Sequence, residues 1–358
     1  MASVDDQQVT ARLSTLDRFL PVWIGASMAG GLALGRMVPN LNRWLDHIKV
    51  DTVSLPIAIG LFAMMYPVLA KVRYRSIGTA LADRRPMILS LVIVWLFGPA
   101  VMFGLAWLLL ADLPEYRTGV IIIGLAPCIA MVLIWIDLAG GNRELAAVLV
   151  AINSIIQVVA YSLLGYFYLE VLPRWLGLDS RGIDVGVWQI AKSVFIFLGV
   201  PLAAGYATRT IGERRKGTDW YEHQFLPRIA PIALYGLLFT IVILFALQGE
   251  RITNQPWDVA RIALPLFIYF AIMWSTTFLL GRRMGFPYQS NATVAFTAAG
   301  NNFELAIAVA ISVFGVSSGQ ALAGVVGPLI EVPVLVSLVY VSLWAQRRWY
   351  TFDGRVPA

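Results

Sequence analysis

The sequence predicts an all-helical integral membrane protein of ten transmembrane helices, arranged as two inverted five-helix repeats. Three observations carry this expectation. Of the 358 residues, 59% are hydrophobic and 13% charged. A soluble domain carries about 25% charged residues, so lipid is the expected solvent. Ten apolar runs are long enough to cross a hydrocarbon core, which takes about 20 residues as a helix. Short motifs also recur between the first five runs and the last five at a nearly constant spacing.

The runs lie at 19–38, 55–71, 87–111, 118–138, 144–170, 187–208, 229–247, 259–280, 291–314 and 321–346. The second and seventh are the shortest. Trp107, Trp175, Trp257 and Trp344 stand near run ends, where an amphipathic ring suits the membrane interface. Residues 1–18 contain Asp5 and Asp6 and no apolar core, so a cytoplasmic N-terminal segment is expected there rather than a cleavable signal. Residues 19–170 and 187–346 are the expected repeats, and 347–358 a cytoplasmic tail.

With ten spans both ends share one face of the membrane. Of the 27 Lys and Arg residues, 18 fall on that face and 8 on the other, with Lys192 inside a span. The imbalance places both termini in the cytoplasm, with the chain in the cell's inner or plasma membrane. It also accounts for the net charge of +6, so no nucleic-acid partner is expected.

The run PIAI at Pro56 recurs as PIAL at Pro231. Arg36 and Arg209 close the first and sixth spans. Pro127 falls opposite Asn301, and Gln157 falls opposite Glu331 at the identical spacing. The first two pairs keep the same spacing to within one position. Each half holds an odd number of spans, so the halves must be inverted relative to one another. This arrangement is typical of secondary transporters, with the solute site near the midplane at the repeat interface.

Two equivalent spans carry helix-breaking chemistry in their middles. Span four reads GLAPCIAMVLIW around Pro127 and Cys128, and a proline removes an amide hydrogen and clashes with the preceding turn. Span nine reads AFTAAGNNFELAIAVA, with Gly300, Asn301, Asn302 and Glu304 at the matching depth. Such backbone persists in a membrane where it lines a polar cavity, and half-helix ends would present amides and carbonyls to a small polar solute.

Glu304 is the sharpest polar signal. A carboxylate at a helix centre costs roughly 2.5–3.5 kcal/mol on insertion scales and usually marks an ion or proton pathway. The functional reading is therefore preferred to that of a capping group. Glu331, between Pro328 and Pro333 in span ten, admits two readings: a structural hydrogen-bonding group, or a substrate- or proton-handling one. Asn153, Ser154 and Gln157 form a polar strip on span five. Cys128 by residue type alone is a small hydrophobe, yet it follows the breaking proline at the expected solute depth, where a soft sulfur meets a soft solute.

Asp137 reads as a solvated boundary charge, the sequon Asn291-Ala292-Thr293 as accidental, and His47 and His223 as loop residues without a motif. Lys192 is given no role. The lone cysteine excludes an internal disulfide, and no Cys/His spacing suits zinc. No cofactor, resident metal or enzymatic nucleophile–base cluster is expected.

These residues resemble the arsenite efflux permeases of the arsenical-resistance-3 type, within the bile acid/sodium symporter superfamily. The resemblance covers nearly the whole chain. It rests on LALGRMVPNLN, VDTVSLPIAIGLFAMMYPVLAKVRY, LAPCIAMVLIW, GNNFELAIAVAI and GVVGPLIEVPVLVSLVYVSL. The Pro-Cys and GNNFEL runs separate this family from its sodium-coupled relatives. Ile136 departs from the pattern, since a polar residue is expected between Trp135 and Asp137.

The resemblance implies broken fourth and ninth helices that cross at the membrane centre. It further implies extrusion of trivalent arsenic, in some members antimony, against inward proton flow. Cys128 and Glu304 fall at the positions of the family's required thiol and carboxylate. In that scheme Cys128 makes transient contact with As(III), while Asn301 and Asn302 bond its hydroxyls. Glu304 loads and releases the proton, and Pro127, Asn153, Ser154, Gln157 and Glu331 support them. The expected partners are arsenite or antimonite, protons and the lipid bilayer, with no obligatory protein partner. The alternative is a sodium-coupled organic-anion symporter of the same fold, which predicts sodium-dependent flux and a cavity needing no thiol.

Overall fold

The computed structural model describes residues 20–38, 41, 49–50, 53–72, 84–178, 186–351 and 354. The expected N-terminal segment, half of the tail, His47 and much of the basic loop after the second span lie outside these residues.

The described chain is built of helices. They are α1 (Leu20–Met37), α2 (Leu55–Ala70), α3 (Arg85–Leu109), α4 (Pro114–Gly124), α5 (Val132–Leu138) and α6 (Arg143–Trp175). There follow α7 (Val187–Lys216), α8 (Leu226–Asn254), α9 (Pro256–Arg283), α10 (Tyr288–Ala299), α11 (Phe303–Phe314) and α12 (Gly319–Trp349). Two-residue strands β1 (Lys49–Val50) and β2 (Val53–Ser54) pair antiparallel just ahead of α2. Among the described residues six helices, α3, α6, α7, α8, α9 and α12, are long and apolar enough to cross a membrane.

The runs at 118–138 and 291–314 are not continuous helices. Each is a pair, α4 with α5 and α10 with α11, parted by non-helical residues at Pro127 and at Gly300. The seventh run is longer than its apolar stretch implies, since α8 extends through 29 residues into the polar stretch ending at Asn254. The sixth lengthens likewise, because the basic turn Arg214–Lys216 stays helical and complements the negative end of the helix dipole.

Proline shapes the long helices without breaking them. Widened i→i+5 turns occur at Ile93–Phe97, Phe167–Val171, Phe195–Gly199 and Tyr221–Phe225. Each is followed two residues on by a proline: Pro99, Pro173, Pro201 and Pro227. A proline ring clashes with the carbonyl one turn back. One widened turn moves that carbonyl aside while the amide before the proline stays bonded, as Gly98 does to Ile93.

Two helix groups result. Helices α1 and α2 flank α8, and α7 lies along α2. In the second group α12 packs on α4, α9 and α11, while α9 packs on α3 and α10. The α2–α8 seam is close. A Cβ on Gly236 would lie 2.8 Å from the Met64 nitrogen and 2.9 Å from the Gly60 oxygen, so only glycine permits this approach. The end of α2 is held by α7. Arg209 donates to the Lys71 carbonyl at 3.0 Å, pairs with Glu213 at 2.9 Å and with Glu222, and lies over the Tyr221 ring.

Gly236→Leu should destabilise the purified protein by about 1–3 kcal/mol, the usual cost of overpacking. This will be read as a lower thermal-unfolding midpoint in detergent. An unchanged midpoint would show that the seam yields freely.

Candidate functional site

The two helix breaks lie against each other. The amide of Cys128 donates to the Gly300 carbonyl at 3.0 Å, and that of Asn302 donates to the Ala126 carbonyl at 2.7 Å. Pro127 and Asn301 thereby form a single antiparallel bridge between otherwise helical segments. Backbone released by each break is satisfied by the other, as an apolar surrounding requires.

Side chains complete this accounting. Asn301 Nδ2 donates to the Ile123 carbonyl at 3.0 Å, and the Tyr161 hydroxyl donates to that of Ile122 at 3.0 Å. Gln157 Nε2 donates to the Pro127 carbonyl at 3.3 Å, while Asn302 Nδ2 donates to Gln157 Oε1 at 3.4 Å. Asn302 also caps α11, its Oδ1 accepting from the Leu305 amide at 3.0 Å. The last carbonyls of α4, which a helix end leaves without intrahelical partners, are thus largely taken. Gln157 and Tyr161 lie one turn apart on α6 and serve this end together.

Cys128, Asn301, Asn302 and Glu331 are at most 2% exposed. The Cys128 thiol sits by the amides of Ala130 and Val132, at the start of α5. The carboxyl of Glu331 faces the Asn301 amide, leaving Oε1 without a partner. Glu304 and Glu331 both act electrostatically on Cys128. Gly300 makes this convergence possible, because a Cβ there would fall 2.9 Å from Cys128 Cβ and 3.7 Å from Glu331 Oε1.

Glu304 differs from the others in reaching a cavity of about 380 Å³. The cavity lies between the first helix group, which supplies Met64, Val68, Leu234 and Leu237, and the stretch from the α4–α5 break into α6, which supplies Ile129, Ile134 and Val150. Lys71 and Asp137 also border it, and Asp137 pairs bidentately with Arg143 at 2.5 and 3.0 Å. Cys128 does not line the cavity; its neighbours Ile129 and Ala130 do. The arrangement offers a largely apolar chamber bordered by two carboxylates, Glu304 and Asp137, and backed by a thiol that is covered. Among the described residues no group of three His, Cys, Asp or Glu side chains stands ready to hold a metal ion.

The polar strip on α6 divides. Gln157 joins the bridge, but Asn153 turns to α3, accepting from Trp95 Nε1 at 3.0 Å. Ser154 bonds back to the Val150 carbonyl of its own helix. Asn291 of the sequon is fully buried, donating to the Phe278 carbonyl and the Tyr350 hydroxyl. His223 is exposed and pairs with Asp219, and Ile136 is buried in the core. Gly300 belongs to the helix-breaking run read from the sequence, whereas Tyr161 was not singled out there. Tyr161 lies one turn after Gln157 on the same helix face, which was the available signal.

A model of the sodium bile acid symporter family matches residues 58–255, more than half of the chain. The chain belongs to that family. Within it the similarity is to Acr3 arsenical-resistance proteins. That of Corynebacterium glutamicum is 54% identical over 348 residues, covering 97% of this chain and 94% of the relative. That of Alkaliphilus metalliredigens is 34% identical over 350 residues, covering 93% and 94%. An uncharacterized transporter of Synechocystis is 38% identical over 346 residues, covering 91% and 88%. With more than nine-tenths of this chain covered in each case, the likeness extends across the residues of the site.

Gln157→Leu should leave the Pro127 carbonyl and the Asn302 amide group without partners, at about 1–3 kcal/mol for each buried group. The expected result is a lower unfolding midpoint in detergent. A midpoint equal to that of the unsubstituted protein would remove Gln157 from the bridge.

Proposed function

We propose that this chain exports trivalent arsenic from the cytoplasm as a secondary active transporter, in exchange for protons. The observation that carries the reading is that Cys128 and Glu304 stand beside the breaks of two helices joined there by backbone hydrogen bonds. Full-length similarity to Acr3 arsenical-resistance proteins supports it. In this reading α4 with α5, and α10 with α11, each count as one span, giving ten. The halves then form inverted repeats. In support, Gln157 bonds at Pro127 in the first half, and Glu331 faces the amide of Asn301 in the second.

Arsenite at neutral pH is mostly an uncharged trihydroxide with a soft arsenic centre. An apolar chamber admits it without the cost of desolvating an ion. One sulfur gives contact without the tight capture of several thiols, and a transport site must release what it binds. Asn301 and Asn302 supply polar groups to the hydroxyls once the bridge region is opened. Glu304 carries the proton inward after arsenic has left. Cys128 is covered in this state, so movement of α1, α2, α7 and α8 against the second group is the step that gives the solute access to it. Antimonite, with the same soft trivalent centre, is a second expected substrate.

Arsenite uptake into everted membrane vesicles tests this directly. Cys128→Ser and Glu304→Gln should each fall close to the rate of vesicles lacking the protein, with expression matched by immunoblot. Wild-type rates in both would sink the assignment. An imposed pH gradient should accelerate uptake by the unsubstituted protein, whereas a sodium gradient should not.

The orientation has its own test. Reporter fusions at the two ends should both show cytoplasmic activity, and opposite faces would overturn an even number of spans.

A further inference from the structure

Away from the cavity, α9 and α12 run side by side in the same direction. Their starts meet α4, where the Tyr116 hydroxyl reaches Asp258 at 3.2 Å and the Gly319 amide reaches Glu115 at 2.9 Å. At their far ends Arg282 lies over the Trp349 ring, 4.9 Å from its centre. Between them is a groove of about 590 Å³, walled by side chains that include Ala263, Phe267, Ala271, Val334, Ser337 and Val341. Small residues on α9, Ala260, Ala263 and Ala271, leave room for it, and Pro333 lines it from α12. Ser337 does not make the groove polar, because its hydroxyl is turned to the Pro333 carbonyl at 2.8 Å. Phe267 and Val341 are exposed at its rim.

The same face of α12 continues past the groove. Val334, Ser337 and Val341 recur at three- and four-residue steps, and the next two positions on that face are Trp344 and Arg348. Trp344, Arg347 and Arg348 line a second hollow of about 530 Å³. Arg347 and Arg348 are both exposed. Arg348 is seven residues beyond Val341, about 10 Å along a helix rising about 1.5 Å per residue. One leaflet is about 15 Å deep, half of the roughly 30 Å hydrocarbon core. A chain hanging from the level of Arg348 therefore enters the near half of the groove.

We infer that the α9–α12 groove and the Arg347–Arg348 hollow together bind one anionic phospholipid, its phosphate at the arginines and an acyl chain along the groove. Charge complementarity selects the occupant. A zwitterionic lipid fills the groove equally well but gains less from two exposed guanidinium groups with an interfacial tryptophan beside them. Basic pockets between helices at the cytoplasmic end are the recurrent form of such sites. The inference stands independently of what the cavity carries.

The full chain in detergent, titrated with phosphatidylglycerol or with phosphatidylcholine of the same acyl chains, provides the test through its thermal-unfolding midpoint. Phosphatidylglycerol should stabilise at lower concentration. An Arg347→Ala, Arg348→Ala double variant should lose about fivefold in apparent affinity for each arginine, corresponding to roughly 1 kcal/mol per cationic side chain. Its response to phosphatidylcholine should be retained, which also shows that it folds, and Lys at both positions should restore the preference. Ala271→Trp, which fills the groove, should weaken the response to both lipids. Equal responses of the unsubstituted protein to the two lipids would overturn the inference. So would a preference kept by the double variant, or stabilisation by glycerol phosphate alone. Disulfide cross-linking between copies through Phe267→Cys would assign the groove to a second copy instead and likewise overturn it.

Discussion

Everything around the cavity depends on one exchange of backbone hydrogen bonds. Cys128 donates to Gly300, and Asn302 donates to Ala126. Each broken helix would be untenable alone in an apolar environment, where an unpaired amide or carbonyl has no water to turn to. Together they form a cross in which each break is the partner of the other. The thiol and the carboxylate singled out by chemistry are held by this cross, Cys128 within it and Glu304 two residues past Asn302. Their relative position is consequently fixed by main-chain geometry rather than by side-chain rotamers.

The cross also explains why polar residues gather where they do. Asn301, Asn302, Gln157 and Tyr161 all bond to carbonyls or side chains at the end of α4 or to the start of α11. They are structural in this state, and their donors are occupied. The chamber is bordered by Glu304, with the covered thiol behind it. Arg209 ties α2 to α7 within its group, while Ser193 to Ser312 and Gln248 to the Val316 carbonyl join α7 and α8 to the second.

Much of this was legible in the sequence. Pro127 and the Gly300-Asn301-Asn302 run announced the breaks, because proline and glycine disturb a helix for local reasons that need no tertiary knowledge. The spacing shared by the recurring motifs placed them opposite one another. The division of labour was harder to read. Asn153 and Gln157 look alike on a helical strip, yet one serves Trp95 and the other Pro127, since one turn of depth along a shared face brings each against a different neighbour. The covering of Cys128 was equally hidden, because burial at a crossing depends on both chain segments at once. Helix lengths were underestimated at α7 and α8, where polar turns remain helical beyond the apolar run.

The prolines that follow the widened turns have a mechanical consequence. A proline kink that lost its hydrogen bonds would be a natural flexing point, and a transporter with four of them would bend in the middle of its helices. Here the amide before each proline remains bonded across the wider turn. The helices α3, α6 and α7, and the helical stretch leading into α8, therefore remain hydrogen-bonded through the proline position. At these four places the proline displaces the helix axis without releasing the main chain, as a splice offsets a beam without cutting it.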